Sequence, residues 1–290
     1  MKFDDQNVDA SQLQDVRGQR GGGGRGGLGS GATVGGGLGI LGLIIALVFG
    51  INVMGDDSAQ QPTPQQQQAA GSDVAVRCNQ PGAIDQYDDC FITKIFNETN
   101  EIWAGQVQGY KRPTLVFFEQ GVRTACGPAT SQTGPFYCPG DSKVYVDLGF
   151  MRQLLRDLGA EGRNAQAYVI AHEVGHHIQN LTGQERKVRQ LQQQDPRNKN
   201  KYSVLLELQA DCYAGVWARQ ANDSGKVQIT QKELLQALNA AAAVGDDRIM
   251  QNAGMRVNPE SFTHGTAAQR QEWFTKGFQT ADPRQCNTFA

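Results

Sequence analysis

The residues whose types and spacing could do chemistry lie close together in the middle of the chain. His172, Glu173 and His176 form an H-E-x-x-H motif. In a helix both imidazoles project from one face and can bind one Zn²⁺ ion, while Glu173 can act at the open coordination position. The alternative is a polar helix face with structural histidines. Three of the four histidines fall within 172–177, which disfavours that alternative.

A catalytic zinc site needs a third protein ligand, and the segment 202–220 can supply one. Glu207 and Asp211 lie four residues apart there, on one face of a predicted helix. Their like charges would repel each other without a nearby cation, and zinc would provide that charge. Glu207 could bind the ion, and Asp211 could accept the outward N–H of a ligand histidine. A solvated acidic face is the alternative, which the neighbouring leucines disfavour.

The elements that position these residues follow from hydrophobic periodicity. Apolar residues at three-four spacing predict a helix over 164–181, with Asn164 as its N-cap. Alternation predicts strands at 114–118 and 143–147, and Asp147 is expected to cap a helix that ends at Leu158. Residues 144–147 could be an edge strand that pairs with an extended substrate, or ordinary sheet.

Other residues outside the motif could contribute to chemistry. His264 is a candidate donor to a developing oxyanion, and so are Tyr168 and Tyr213. His177 points away from the face of the two ligand histidines, which predicts a packing role. Two acidic residues near position 246 could chelate a cation, but paired acids at a helix end are common in loops. We interpret Asp246 and Asp247 as loop residues.

The N-terminal part of the chain differs sharply in composition from the rest. Residues 1–32 are poor in large apolar side chains and rich in glycine, which predicts a disordered tail. Residues 33–55 carry no charge and are long enough to cross a bilayer as a helix. A cleavable signal peptide is the alternative, but no clear Ala-x-Ala site ends the stretch. Arg17, Arg20 and Arg25 precede the span, so the positive-inside rule predicts a cytoplasmic N-terminus.

A Gln- and Pro-rich stretch, 56–74, is expected to be a solvated tether, and 75–290 one folded domain. All six cysteines lie in that domain, as expected in an oxidising compartment. Fifteen connectivities are possible. Equal short spacings favour the pairs Cys78–Cys90 and Cys126–Cys138, which leaves Cys212–Cys286 as the third pair. A four-cysteine zinc site is the alternative, disfavoured because no C-x-x-C pair exists.

The overall charge excludes one class of partner. The chain has 290 residues with 27 basic and 29 acidic side chains, a formal net charge of −2. This balance gives no basic field of the kind that nucleic-acid binding needs, so no nucleic-acid partner is expected. The mean hydropathy of −0.47 is too polar for a protein with many membrane spans.

The combination of H-E-x-x-H with a later E-x-x-x-D resembles the gluzincin pattern of zinc metallopeptidases. The wider sequence resembles the neutral zinc metallopeptidase family of membrane-anchored bacterial proteins (YpfJ-like). The matching stretches are VYVDLGF (144–150), AYVIAHEVGHHIQNLTG (167–183), LELQADCYAGVWA (206–218), ALNAAAAVGDDRI (237–249) and FTHGTAAQRQEWFTKGF (262–278). The resemblance covers most of 75–290 and extends to the Gly-rich tail and the single span.

The resemblance implies an α+β fold, a zincin-like and mainly helical catalytic domain with a small sheet, preceded by one transmembrane helix. It implies zinc-dependent hydrolysis of a peptide or protein substrate, with Zn²⁺ held by His172, His176 and Glu207 and with Glu173 as the general base. It also implies a single-pass protein of the bacterial inner membrane, anchored in the lipid bilayer through 33–55, with the catalytic domain in the periplasm or outside the cell.

Two alternative functions stay open. One is a non-catalytic, membrane-tethered partner or assembly factor that keeps zinc for stability. Glu173 disfavours it, because a structural zinc site is closed by a fourth protein ligand and has no use for an adjacent free carboxylate. The other is a zinc hydrolase that cleaves a different bond, since the ligands alone do not select a peptide.

Overall fold

The computed structural model of the protein describes residues 1–18, 73–160 and 162–290. The predicted membrane span, 33–55, and nearly all of the predicted tether, 56–74, therefore lie outside the described residues. Within the described ranges, no helix combines the length and the apolar character that crossing a membrane requires.

Helices make up most of the regular structure in the described residues. The helices are α1 (Ala83–Gln86), α2 (Asp88–Ala104), α3 (Leu148–Asp157), α4 (Arg163–Leu181), α5 (Gln184–Gln194), α6 (Lys199–Asp223), α7 (Gln231–Ala243), α8 (Asp246–Asn252) and α9 (Ala267–Thr280). The strands are β1 (Lys2–Phe3), β2 (Leu13–Asp15), β3 (Thr114–Phe117), β4 (Gly121–Thr124), β5 (Gly127–Thr130), β6 (Phe136–Cys138), β7 (Lys143–Val146) and β8 (Val227–Gln228). A mainly helical α+β domain with small sheets is thereby confirmed, and the zincin-like relationship stays a prediction.

The main sheet has the strand order β2-β3-β7-β6. Strands β2, β3 and β7 are parallel, and β6 is antiparallel to β7. The strands predicted at 114–118 and 143–147 are confirmed as β3 and β7. Of the two alternatives for 144–147, ordinary sheet is confirmed and an edge strand is excluded, because β7 pairs with β3 on one side and with β6 on the other. With only three residues, β6 is too short for its alternation to be recognised in the sequence.

The first 18 residues are ordered against the domain, so the prediction of a disordered tail is wrong for this part of 1–32. Strand β1 pairs with β8, and β2 pairs with β3. Val8 and Leu13 are buried in the main hydrophobic core. The tail has few apolar side chains of its own, but strand pairing with distant residues also offsets the entropy of ordering. Residues 19–32 lie outside the described residues.

The sequence predicted the N-caps of two helices, and one of the two is confirmed. Helix α3 begins as predicted, since Asp147 Oδ1 accepts a hydrogen bond from the Phe150 N–H at 3.0 Å. Helix α4 begins at Arg163, so Asn164 lies in the first turn and is not the N-cap. The Asn164 side chain instead donates to Gln236 Oε1 of α7 at 2.8 Å. Asn164 Oδ1, the atom that would accept in an N-cap, is buried and has no hydrogen-bond partner among the described residues.

Helices α6 and α9 approach each other so closely that no side chain fits between them. A Cβ placed on Gly215 of α6 would lie 2.0 Å from the Phe274 carbonyl oxygen. A Cβ on Gly277 of α9 would lie 2.0 Å from the Cys212 carbonyl oxygen. Each helix therefore presents a glycine where the other backbone passes, and this contact fixes the relative position of the two helices.

Three disulfides link the six cysteines in the predicted pairs, Cys78–Cys90, Cys126–Cys138 and Cys212–Cys286. The alternative of a four-cysteine zinc site is therefore wrong, because every thiol is used. The third disulfide closes a loop of 74 residues and ties the C-terminal end to α6. Closing a long loop restricts the unfolded chain, so this link favours the folded state.

We expect Gly215→Ala to destabilise the domain by roughly 3 kcal/mol, because the added methyl must push α6 and α9 apart. Thermal unfolding followed by circular dichroism would measure the change. Gly105→Ala is the matched control: a Cβ there meets its nearest atom, the Ile102 carbonyl oxygen, at 3.5 Å, an ordinary contact. Equal melting temperatures for the two variants would contradict the close helix contact.

Candidate metal centre

Helix α4 carries the H-E-x-x-H motif on the face that packs against α6. A Cβ on Gly175 would lie 3.2 Å from Ala210 Cα, so the two helices cross closely beside the motif. This crossing brings Glu207 of α6 to the imidazoles of His172 and His176. His172 and Glu207 are buried, and the His176 side chain is 17% exposed, which leaves one side of the group towards solvent.

Three side chains of this crossing form a candidate ligand set: His172, His176 and Glu207. His172 Nε2 lies 3.1 Å from Glu207 Oε2, and His176 Nε2 lies 3.5 Å from Glu207 Oε1. Tetrahedral zinc with bonds of about 2.0–2.1 Å would separate its ligand atoms by about 3.4 Å. One ligand atom from each of the three residues lies within 4.8 Å of the others. The donors and their spacing therefore fit a zinc ion.

The other ring nitrogen of each histidine is held by an oxygen acceptor. His172 Nδ1 lies 2.9 Å from Asp211 Oδ1, the contact that the sequence predicted. His176 Nδ1 lies 2.8 Å from Gln179 Oε1, a partner that the sequence analysis missed. Gln179 is itself oriented, since its amide donates to the Leu206 carbonyl at 2.7 Å. With both Nδ1 atoms donating, the two Nε2 atoms face the candidate metal position, where their lone pairs could bind zinc once each imidazole is neutral.

Arg270 of α9 is a buried cation in this group that the sequence analysis also missed. It is 1% exposed, and its Nε and Nη2 donate to the two oxygens of Asp211 at 2.7 and 3.0 Å. Nη2 also donates to the Tyr168 hydroxyl at 3.2 Å. The repulsion between Glu207 and Asp211 predicts a nearby cation, and the sequence named only a metal ion as its source. A guanidinium from 59 residues away shares this role.

The charges in the group shift each other's protonation. Burial opposes protonation of His176, but the Glu207 carboxylate outweighs it and raises the pKa of His176 to about 10. Burial of Glu207 is likewise outweighed, by the His176 and His264 charges, so the pKa of Glu207 lies well below its usual range. Burial raises the pKa of Glu173, and the nearby histidines only partly oppose this. Glu173 is thereby a stronger base than a solvated carboxylate.

His264 lies in the loop before α9 and is completely buried. Its Nδ1 lies 3.1 Å from Asp246 Oδ1, while Asp246 Oδ2 accepts the backbone N–H groups of Thr263, His264 and Gly265. Within the described part of the chain, His264 Nε2 has no hydrogen-bond partner. Asp246 is therefore a buried residue that orients His264, and interpreting it as an ordinary loop residue was wrong.

The remaining candidates have other contacts. Asp247 lies in the first turn of α8, so its interpretation as a loop residue was wrong. Its Oδ1 accepts the Ala267 N–H at 2.7 Å, a structural contact with the start of α9. The Tyr168 hydroxyl donates to Asp211 Oδ1 at 2.5 Å, so its proton is not free to bind an oxyanion. Tyr213 is buried with its ring edge against Trp103. His177 contacts the Tyr137 hydroxyl at 3.0 Å and the Lys111 carbonyl at 2.6 Å, a packing role as predicted.

Comparison with known proteins agrees with this geometry. The family model "Putative neutral zinc metallopeptidase" matches residues 1–289, so the chain belongs to this family. The chain is 43% identical to YpfJ of Escherichia coli (strain K12) over 289 residues, which covers 97% of this chain and 96% of YpfJ. It is 42% identical to Rv2575 of Mycobacterium tuberculosis (strain ATCC 25618 / H37Rv) over 254 residues, 84% of this chain and 85% of that protein. Both relatives are uncharacterized proteins. No solved structure significantly matches the chain.

We expect Asp211→Asn to lower zinc affinity by about 10- to 100-fold, because the anion that orients His172 is lost. The same change leaves Arg270 buried without its partner, which should cost about 3–5 kcal/mol of folding free energy. Competition with a chelator and thermal unfolding would measure the two effects. Asp223→Asn on the same helix is the matched control, since Asp223 forms an exposed ion pair with Arg219.

Adding Arg270→Met to Asp211→Asn separates these two effects. Removing the unpaired cation should recover much of the lost stability but not the zinc affinity. Wild-type zinc affinity in Asp211→Asn would rule out the orienting role.

Proposed function

We propose that this protein is a zinc-dependent metallopeptidase, with His172, His176 and Glu207 as the ligands and Glu173 as the general base. The observation that carries the proposal is the ligand set with a buried carboxylate beside it that the ligands do not use. Family membership supports a metallopeptidase role in general terms. A purely structural zinc site would need no such carboxylate, so this arrangement favours an enzyme over a non-catalytic tethered partner.

Bound at this site, zinc would polarise a peptide carbonyl and lower the pKa of a bound water molecule to about 7. Glu173 would accept the proton of the attacking water on its carboxylate and donate it to the leaving amine. The raised pKa of Glu173 suits both steps, because the carboxylate must take up a proton and then release it. Asp211 and Gln179 would keep the two imidazoles in the required tautomer and orientation.

His264 would stabilise the negative charge that develops on the carbonyl oxygen. The support is its buried Nε2 without a partner in the described residues. Asp246 would fix the orientation of the imidazole. The two tyrosine alternatives have less support, because Tyr168 is bonded to Asp211 and Tyr213 packs on a tryptophan.

A peptide substrate is supported by the position of β6 beside α4. This strand is an outer strand of the main sheet. The backbone N–H of its residue Tyr137 donates a hydrogen bond to the Glu173 carboxylate. An extended peptide that pairs with β6 would run past the general base. A cavity of about 740 Å³ is lined by Val204, three residues before Glu207 in α6, and by Phe262 and Gly265, which lie on either side of His264 in the sequence. This cavity has room for a substrate side chain.

Contact with a lipid bilayer through 33–55, without a single crossing that would separate residues 1–18 from the domain, is also part of the proposal, and its support is the uncharged sequence. The domain would lie on the outer, oxidising side of the membrane, because all six cysteines form disulfides.

We expect Glu173→Gln to keep zinc and to lower kcat by about 100- to 10,000-fold, because the amide cannot carry the proton. Cleavage of a quenched mixed-peptide library by the full-length protein, with zinc content measured in parallel, tests this. Glu272→Gln is the matched control, because Glu272 is exposed on α9. A metal chelator should abolish wild-type cleavage, and full activity of Glu173→Gln would refute the mechanism.

We expect His264→Gln to lower kcat by about 100- to 1,000-fold with little change in KM or zinc content, because a donor to the transition state is lost. His177→Gln is the matched control, since His177 is also buried but contacts Tyr137 and Lys111 instead. It should affect stability and leave kcat nearly unchanged. Similar kcat losses in both variants would mean that His264 is only structural.

A further inference from the structure

The first 18 residues pack on the domain through two separate strand pairings. Lys2 and Phe3 of β1 pair antiparallel with Gln228 and Val227 of β8. Ten residues later, β2 pairs in parallel with β3 in the main sheet. The Asp4 N–H also donates to the Lys226 carbonyl at 3.1 Å. The segment is therefore held by backbone hydrogen bonds at both of its ends.

Side chains of α2 and of the residues just before α1 bind the middle of this segment. Asn79 binds both backbone groups of Val8, with its Oδ1 accepting at 2.9 Å and its Nδ2 donating at 3.1 Å. Asn97 binds both backbone groups of Asp9 in the same way, at 2.9 and 3.0 Å. Each asparagine thus binds one backbone donor and one backbone acceptor, and together the two form a specific binding site for an extended segment.

Buried groups beneath the segment depend on it. The Lys94 side chain is only 3% exposed, and its Nζ binds Asp5 Oδ1 at 2.7 Å and Glu98 Oε1 at 2.8 Å. Val8 and Leu13 are 5% and 6% exposed and belong to the same core as the domain's own apolar residues. Removing the segment would uncover this core and take one partner from a buried cation.

One arginine before and one after residues 19–72 bind the same carboxylate, that of Asp89. Arg17 Nη2 lies 2.9 Å from Asp89 Oδ2, and Arg77 binds the same oxygen. Arg17 is also paired with Asp15 through its Nε at 2.8 Å. The chain therefore leaves the domain and returns to it at the same place.

We infer that residues 1–18 are a lasting part of the folded domain and lie on the same side of any membrane as residues 73–290. A chain that crosses a bilayer once between these two parts would place them on opposite sides and could not form the observed sheet. The predicted cytoplasmic N-terminus is incompatible with this arrangement. One of the three arginines on which it rested, Arg17, has its charge balanced by Asp15 and Asp89. The inference is independent of the proposed enzymatic function.

A cysteine pair across β1 and β8 tests the inference in the full-length protein made in intact cells. Lys2 and Gln228 are exposed and lie directly opposite each other in the antiparallel pair. Facing residues of antiparallel strands have Cα atoms about 4.5–5.5 Å apart, which a disulfide can bridge. We expect Lys2→Cys with Gln228→Cys to form a disulfide within one chain in most molecules, detected by peptide mapping without reduction. Each single variant serves as the control.

A labelling experiment provides a second readout that needs no new disulfide. Gln6 and Met255 are exposed, one in the segment and one in the domain. A membrane-impermeant maleimide should label Gln6→Cys and Met255→Cys from the same side of the membrane. Labelling of Met255→Cys alone until the membrane is opened, with no disulfide in the first experiment, would overturn the inference. Disulfides that link two chains would overturn docking within one chain.

Discussion

The ion pair between Asp211 and Arg270 is the interaction on which the rest of the site depends. Both groups are almost fully buried, at 0% and 1% exposure, and each would be costly without the other. The pair can form only if α9 lies directly against α6, and the glycines at 215 and 277 allow that approach. The same helix α6 crosses α4 at Gly175. One charged contact and two close helix crossings thus bring together side chains from three distant parts of the sequence.

In this arrangement the two carboxylates of α6 have different roles, one orienting a histidine and one facing the candidate metal position. Burial would raise the pKa of Asp211, but the Arg270 charge holds it below its usual range, so Asp211 stays an anion that can orient His172. Glu207 lies farther from Arg270, at 3.8 Å, and faces the two Nε2 atoms. The site is therefore organised before a metal binds, and protons on the histidines balance charge that zinc would balance afterwards.

The sequence predicted the parts of the site that depend on local spacing and missed those that depend on distant contacts. H-E-x-x-H and the Glu207–Asp211 pair are helix spacings of four, and the disulfide pairs followed from two equal spacings. Arg270 and Asp246 have no local pattern, because their partners lie 59 and 18 residues away. The fold class was implied by the family resemblance, and periodicity predicted the helices and strands that position the site. Strand β6 was too short to recognise, and the ordering of residues 1–18 required a sheet formed elsewhere in the chain.

The main sheet has two outer strands, β2 from the N-terminal segment and β6 beside α4. Exposed strand edges readily pair with other extended chains. At the edge away from α4, β3 is covered by β2 from the N-terminal segment. At the other edge, β6 adjoins α4 and no described strand pairs with its outer side. After docking of residues 1–18, β2 and β6 are the two outer strands of this sheet. Of these two, β6 is the strand beside Glu173, so an extended peptide that added there would reach the candidate metal centre.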